Sequence, residues 1–167
     1  SNAESLTLST AQDQHSNIHQ QVVLTDDAPH KERVLSWILS NETYEKALIF
    51  TNTRDYANKL KNFLQYHNVR AGVLHGEIEQ DTRNQIMTEL RYGKINVLVA
   101  TDVAARGLDI KGIDLVVNVD MARNGDDYIH RIGRTGRAGA SGTAITFITA
   151  ADLNLMATVE RYLKVRF

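Results

Sequence analysis

Arginine and glycine alternate in the segment HRIGRTGRAG, residues 130–139. Arg131, Arg134 and Arg137 recur at every third position, and no acidic residue occurs between residues 128 and 151. A solvated helical face does not explain the alternation, because each glycine destabilises a helix by about 0.5–1 kcal/mol relative to alanine. Glycine permits close backbone approach, and the guanidinium fork matches phosphate oxygens. The segment therefore predicts a polyphosphate site.

A second group of candidates follows the apolar run VLVA, in the segment ATDVAARGLDI. Thr101 and Asp102 stand where a buried strand should end. The turn after them contains three further candidates: Arg106, Gly107 and Asp109. Charges beside a buried strand are expected to be paired or functional, because an isolated buried charge is costly. The group is therefore either a set of structural ion pairs or part of a binding site.

A third group, TNTR, begins at Thr51 and continues through Asn52 to Arg54. This polar turn opens a predicted helix, so its backbone N–H groups and its arginine could hold a phosphate. The ordinary alternative is helix capping by Thr53 beside a solvated arginine.

A fourth group lies in HGEIEQDTR, residues 75–83. Gly76 would allow a backbone to come close, and Gln80 and Arg83 lie three residues apart on one helical face. The ordinary alternative is an exposed helix start without a ligand.

Strands and helices that alternate along the chain are expected to position these groups. Six runs have strand character: 20–25, 47–51, 69–74, 96–101, 114–120 and 143–149. Helical spacing marks 30–41, a helix from Thr53, 80–91, a short helix from about 126 to 132, and a closing helix with Leu153, Met156, Val159 and Leu163. Valine-rich strands that are apolar on both faces predict a three-layer α/β domain with a mostly parallel sheet and helices on both faces. Ligands bind at the carboxyl ends of such strands, and the four groups of candidate residues lie there.

Length and composition indicate one compact domain. The chain has 167 residues, of which 43% are hydrophobic, and a formal net charge of −1. That charge gives no overall signature of nucleic-acid binding, so any RNA or phosphate site has to be local. Residues 1–3 (SNA) resemble the remnant of an expression tag, 4–19 are predicted to be a polar linker, and 20–167 form the predicted domain.

The chain contains no cysteine, no secretory leader and no apolar run near the roughly 20 residues that a membrane helix needs. A cytoplasmic protein without membrane contact is therefore expected.

Four segments together resemble a known family. ALIFTNTR (47–54), LHGEIEQDTR (74–83), VLVATDVAARGLDI (97–110) and HRIGRTGR (130–137) are similar, in order and approximate spacing, to the C-terminal helicase motifs of DEAD-box ATP-dependent RNA helicases. The similarity extends over residues 20–163 and is greatest to bacterial members. Glu77 stands where the family often has aspartate, which preserves the charge. The resemblance implies the second, C-terminal RecA-like domain of such an enzyme.

The resemblance also implies roles for individual residues. Arg134 and Arg137 match arginine fingers on the ATP γ-phosphate, and Gly107 and Asp109 match positions near the nucleotide, with Asp109 on the ribose. Three residues match the interface with the N-terminal RecA-like domain: Arg106, His130 and Arg131. Seven match positions that grip the backbone of single-stranded RNA without regard to sequence: Thr51, Asn52, Arg54, Gly76, Gln80, Arg83 and Thr101.

Two motifs that an ATPase requires are missing from this sequence. There is no G-x-x-x-x-G-K-[ST] loop, and there is no D-E-A-D tetrapeptide to hold Mg²⁺. We therefore expect one lobe of an enzyme that is inactive alone, uses ATP with Mg²⁺ held by the N-terminal domain, and has no metal site in this chain. The alternatives are a stand-alone RNA-binding or scaffold module and the matching lobe of a DNA helicase. RNA is favoured by the resemblance, since contacts to the 2′-OH would decide between the two nucleic acids.

Overall fold

The computed structural model describes residues 5–8 and 17–164, with side chains described from residue 17. The strands are β1 (Ser5–Leu8), β2 (Ile18–Leu24), β3 (Ala47–Thr51), β4 (Ala71–Leu74), β5 (Val97–Thr101), β6 (Leu115–Asn118) and β7 (Gly142–Ile148). The helices are α1 (Ala28–Asn41), α2 (Arg54–Tyr66), α3 (Gln80–Arg91), α4 (Asp102–Ala105), α5 (Gly125–Ile132) and α6 (Leu153–Leu163).

One seven-stranded sheet, in the order β1-β2-β7-β6-β3-β5-β4, forms the centre of the domain. Strands β2 to β7 pair in parallel, and β1 is antiparallel to β2 at one edge. In this register Thr51 pairs with Thr101, and Phe50 pairs with Asn118. The carboxyl ends of β3, β5 and β6 therefore lie side by side, and the loops that follow them converge.

Helices cover both faces of the sheet, so the predicted three-layer α/β architecture is confirmed. On one face, α1 and α2 bury Leu35 and Leu60 against strand residues such as Ile49. On the other face, Leu90 of α3 and Val159 of α6 pack into a second core. Complete burial of such a side chain contributes roughly 1.5–3 kcal/mol, so the two cores hold the sheet rigid between them.

The N-terminal segment differs from the prediction of a linker over residues 4–19. Ser5–Leu8 form an edge strand, and β2 begins at Ile18, before the expected start at residue 20. The Asn17 side chain also donates hydrogen bonds to the carbonyls of Gly136 and Ala140. Backbone pairing with an open sheet edge orders a polar sequence that has no apolar period of its own. The remaining positions of that linker and the predicted tag remnant lie outside the described residues.

The loop expected between β5 and β6 begins with a short helix, α4. Other boundaries differ from the predictions by a few residues at most, and Thr53 caps α2 as expected, with its hydroxyl oxygen accepting from the Tyr56 N–H at 3.2 Å. Among the described helices, none combines the length and the apolar character that crossing a membrane requires.

Candidate functional site

Arg131 is the centre of the arrangement at the carboxyl ends of the strands. It lies on α5, whose first turn is capped by the side chain of Asn124. Its side chain is 0% exposed. The guanidinium donates to both carboxylate oxygens of Asp102 at 2.7 Å, to the Asp120 carbonyl at 2.7 Å and to Asn52 Oδ1 at 2.6 Å. It also lies over the ring of Phe50, 5.3 Å from the centroid.

This burial corrects the expectation that Arg131 contacts another domain. A fully buried guanidinium has no surface to offer to a partner, and Arg131 instead ties α5 to the ends of β3, β5 and β6. The carboxylates that pair with Arg131 and Arg137 come from outside that segment: Asp102 and Asp109. Arg131 therefore positions the loops around it.

Arg134 and Arg137 line an open pocket of about 570 Å³ with Gly107 and Asp109. The remaining lining residues are Leu108, Ile129, His130 and Gly133. The predicted phosphate-binding arginines and the predicted nucleotide-binding residues are thus brought together. The α5 helix supplies one wall of the pocket, and the loop after α4 supplies the other.

Arg134 is half-buried and bonded to the loop opposite. Its Nη1 donates to the Leu108 carbonyl at 2.6 Å, and its Nη2 donates to the Ala105 carbonyl at 2.7 Å. A guanidinium has five N–H donors, so these two bonds leave three for a ligand. Burial, and then the nearby charge of Arg137, lower the pKa of Arg134, whereas Asp109 raises it. The site therefore holds a partly desolvated cation, which an anion would stabilise.

Arg137 is more exposed than Arg134. Its Nε donates to the Gly133 carbonyl at 3.2 Å, and its Nη1 lies 3.4 Å from Asp109 Oδ1. The preceding turn depends on Gly136, which has a φ of 66° and whose added Cβ would lie 2.7 Å from Ile18 Cγ1. At that position the glycine serves backbone geometry and close packing against β2.

Arg106 and His130 lie on the exposed rim of the same surface. Arg106 Nη2 is 3.2 Å from Asp127 Oδ1, and His130 Nδ1 is 3.4 Å from Asp126 Oδ2. The ligand atoms of Asp126, Asp127 and His130 lie within 4.8 Å of one another, a grouping that the sequence analysis did not consider. Arg106 already supplies positive charge at this cluster.

The TNTR turn is held by Asp120, a residue that the sequence analysis missed. Asp120 Oδ2 accepts from the Asn52 backbone N–H at 2.8 Å, and its Oδ1 lies 3.3 Å from Lys31 Nζ. The side-chain N–H of Asn52 donates to the Met121 carbonyl at 3.1 Å. The position of Asp120 at the end of a valine-rich strand was the available signal. Its partners could not be predicted because they lie far away in the sequence, on α1 and in the turn after β3.

Two of the predicted RNA-binding threonines are buried. Thr51 is 0% exposed, and its hydroxyl donates to the Thr53 carbonyl at 2.9 Å. Thr101 is 9% exposed. The Thr51 side chain therefore supports the turn that follows β3.

The other predicted RNA-binding residues lie near one another at the β3 and β4 ends. Arg54 Nε and Glu77 Oε1 are 3.0 Å apart, and both side chains are exposed. Gly76 is exposed, with nothing within 4 Å of an added Cβ. On α3, Gln80 donates to Asn84 at 3.0 Å, and Arg83 donates to the Ala104 carbonyl at 3.1 Å. Arg83 therefore links this region to α4.

His75, at the start of the same loop, was not singled out by sequence. It is buried, its Nδ1 accepts from the Glu77 N–H at 3.2 Å, and its Nε2 lies 3.2 Å from Asn58 Oδ1. His75 fixes the loop that presents Gly76 and Glu77.

Comparison with known proteins gives consistent results. The model of the helicase conserved C-terminal domain family matches residues 30–139. The chain is 42% identical over 147 residues to the ATP-dependent RNA helicase SrmB of Escherichia coli, covering 88% of this chain and 33% of that protein. It is 44% identical over 138 residues to the ATP-dependent RNA helicase p62 of Drosophila melanogaster, covering 80% of this chain and 19% of that protein. The chain thus spans about a third of SrmB.

Solved structures agree with the sequence comparisons. The E. coli DEAD-box protein SrmB bound to regulator of ribonuclease activity A matches with a TM-score of 0.79 and 43% identity, covering 83% of this chain and 82% of that one. Dbp5 of S. cerevisiae bound to RNA and ADP BeF3 matches with a TM-score of 0.75 and 32% identity, covering 84% of this chain and 38% of that one.

Proposed function

The chain belongs to the family of C-terminal helicase domains of DEAD-box proteins, and on that premise we propose that it acts as the C-terminal lobe of an ATP-dependent RNA helicase. The observation that supports this role most directly is the pocket that Arg134, Arg137, Gly107 and Asp109 share. The whole enzyme would be cytoplasmic.

In the proposed reaction, Arg134 and Arg137 act on the transferred γ-phosphoryl group. Phosphoryl transfer spreads negative charge over the equatorial oxygens, and an arginine that stabilises this charge is worth roughly 10³–10⁵ in rate. Arg134 has uncommitted N–H donors for this task, and Arg137 would exchange its contact with Asp109 for the phosphate. Asp109 would then be free to accept a hydrogen bond from the ribose.

The lining of the pocket fits the nucleotide but not its metal ion. Its one carboxylate, Asp109, is paired with Arg137. Mg²⁺ prefers carboxylates and phosphate oxygens in octahedral geometry, so its protein ligands would come from the N-terminal lobe. Arg106 and His130, on the exposed rim, would face that lobe.

The second part of the proposed function is a grip on single-stranded RNA. Arg54, Gly76 and the backbone around Asn52 would contact phosphates and sugars, which carry little sequence information. Arg131 joins this region to the arginine pocket through Asn52 and Asp102. The lobe would therefore move as one body, so that RNA binding and finger placement are coupled when the two lobes close.

Two other functions are compatible with parts of the site. A stand-alone RNA-binding module needs the region around Arg54, but gives no reason for two arginines beside a pocket of nucleotide size. The matching lobe of a DNA helicase would use the same arginines and differ in its contacts to the sugar 2′-position.

ATP turnover with and without single-stranded RNA tests the proposal. We expect this chain alone to be inactive. In the full-length parent, Arg134→Ala with Arg137→Ala should lower RNA-stimulated turnover by at least about 10³-fold. Arg33→Ala is the matched control, because Arg33 is exposed on α1 and has no ion pair within the described residues. Undiminished turnover without the two arginines would show that they do not act as arginine fingers, and it would favour the stand-alone RNA-binding module.

A further inference from the structure

A second pocket, of about 340 Å³, lies between the end of α3 and the loop that leads to β6. Three of its lining residues are cations from different parts of the chain: Lys46, Arg91 and Lys111. Its floor is apolar and continuous with the core: Met87, Leu90 and Ile110. None of the residues described above as RNA contacts lines it, and Asp109 is its one residue in common with the arginine pocket.

In the part of the chain that the structure describes, none of the side chains of Lys46, Arg91 and Lys111 makes an ion pair or a side-chain hydrogen bond. The wall residue of opposite sign, Asp109, lies beside Arg137 at 3.4 Å. Since the whole chain has a net charge of −1, this is a local concentration of positive charge.

Helix electrostatics explains part of this cluster. Arg91 lies in the last turn of α3, where a cation interacts favourably with the helix dipole. That account does not apply to Lys46, which precedes β3, or to Lys111, which lies in a loop. Three separate elements therefore bring like charges to one cavity that has a single carboxylate, Asp109, in its wall, and a bound anion would lower their mutual repulsion.

We propose that this pocket binds a small organic phosphate monoester. The cations would contact the phosphate, and the apolar body of the ligand would lie on Met87, Leu90 and Ile110. The volume lies within the roughly 300–1,000 Å³ typical of small-molecule sites. The site is separate from the proposed ATP pocket, although the shared wall at Asp109 places the two ligands next to each other.

Titration of this chain with phenyl phosphate, followed by amide chemical shifts in a nitrogen–proton NMR spectrum at constant ionic strength, tests the proposal. Saturable shifts are expected at Ile110 and Lys111. Arg91→Glu should weaken the affinity at least about ten-fold, since a charge-assisted hydrogen bond is replaced by repulsion. Arg33→Glu makes the same change in net charge on α1, across the sheet, and should alter the affinity less than about two-fold.

Further titrations distinguish the competing outcomes. Lys111→Glu, in a loop, provides a second variant should Arg91→Glu disturb α3. Inorganic phosphate should bind several-fold more weakly than phenyl phosphate, and equal binding would overturn the organic ligand class. Shifts that do not saturate, that respond equally to Arg33→Glu, or that centre on Gly133 and Arg137 would overturn the site itself. The last result would place the ligand in the proposed ATP pocket. It would not contradict the proposed function of that pocket.

Discussion

The guanidinium of Arg131 and the carboxylate of Asp102 form two parallel hydrogen bonds, Nε to Oδ1 and Nη2 to Oδ2, each 2.7 Å long. The arginine side chain is 0% exposed and the aspartate side chain 18% exposed. One residue comes from α5 and the other from the start of α4, directly after β5, so this ion pair joins the arginine pocket to the strand ends.

Removal of Arg131 should destabilise the domain strongly. Arg131→Met is expected to lower the free energy of unfolding in urea by about 3–5 kcal/mol, because Asp102 would keep its charge without its partner. Arg54→Met is the matched control, since its pair with Glu77 is exposed and should be worth less than about 1 kcal/mol. Similar losses in the two variants would show that the buried pair has no special importance.

Arg134 should control the order of the loop opposite it. Arg134→Ala removes the donors to the carbonyls of Ala105 and Leu108, so hydrogen exchange of the Leu108 amide, which bonds to the Ala105 carbonyl at 3.2 Å, should accelerate about ten-fold. Arg137 makes neither of these bonds, so Arg137→Ala should leave the exchange rate of the Leu108 amide unchanged. Equal acceleration in both variants would contradict a specific role for Arg134.

The hydroxyl of Tyr128 should stabilise the core that supports α5. Tyr128 is 1% exposed and donates to Gln20 Oε1 at 2.7 Å. Tyr128→Phe leaves that buried acceptor without this donor and should lower the free energy of unfolding by about 1–3 kcal/mol in urea. Tyr66→Phe, at a position that is 84% exposed, should change it by less than about 0.5 kcal/mol. An unchanged free energy of unfolding in Tyr128→Phe would mean that Gln20 forms a hydrogen bond with another partner.

Alkaline pH should destabilise the fold through Tyr56 and Tyr128. Burial raises the pKa of both phenols, and Glu32 and Asp120 raise the pKa of Tyr56 further. Because the folded state holds these protons more tightly, their stabilising effect is complete below the unfolded pKa of about 10 and decreases as the pH rises above it. Urea unfolding from pH 8 to about 11 should show this decline, and Tyr56→Phe should reduce its slope. An unchanged slope in Tyr56→Phe would argue against the raised pKa.

The sequence alone determined the order of β2 to β7 and of the helices other than α4, and the end of the sheet at which the candidate site lies. Valine-rich runs such as 96–101 and helical spacing such as 80–91 are local patterns, and parallel crossovers leave few topologies for them. The sequence also identified four candidate residues of the pocket, because the two motifs that contain them follow those elements directly: Gly107, Asp109, Arg134 and Arg137. The sequence pattern also predicted the family, which the comparisons confirmed.

The tertiary structure decided which side chains face the pocket and which are buried. Arg131 and Arg134 have the same spacing and chemistry in the sequence, yet one is enclosed by Asp102 and Asn52 and the other lines a cavity. The pairing of Ser5–Leu8 with β2 was equally invisible. In each case the partner is distant in the chain, and burial depends on which surfaces the packed elements bring together. Local patterns therefore located the site, whereas long-range packing determined the role of each residue in it.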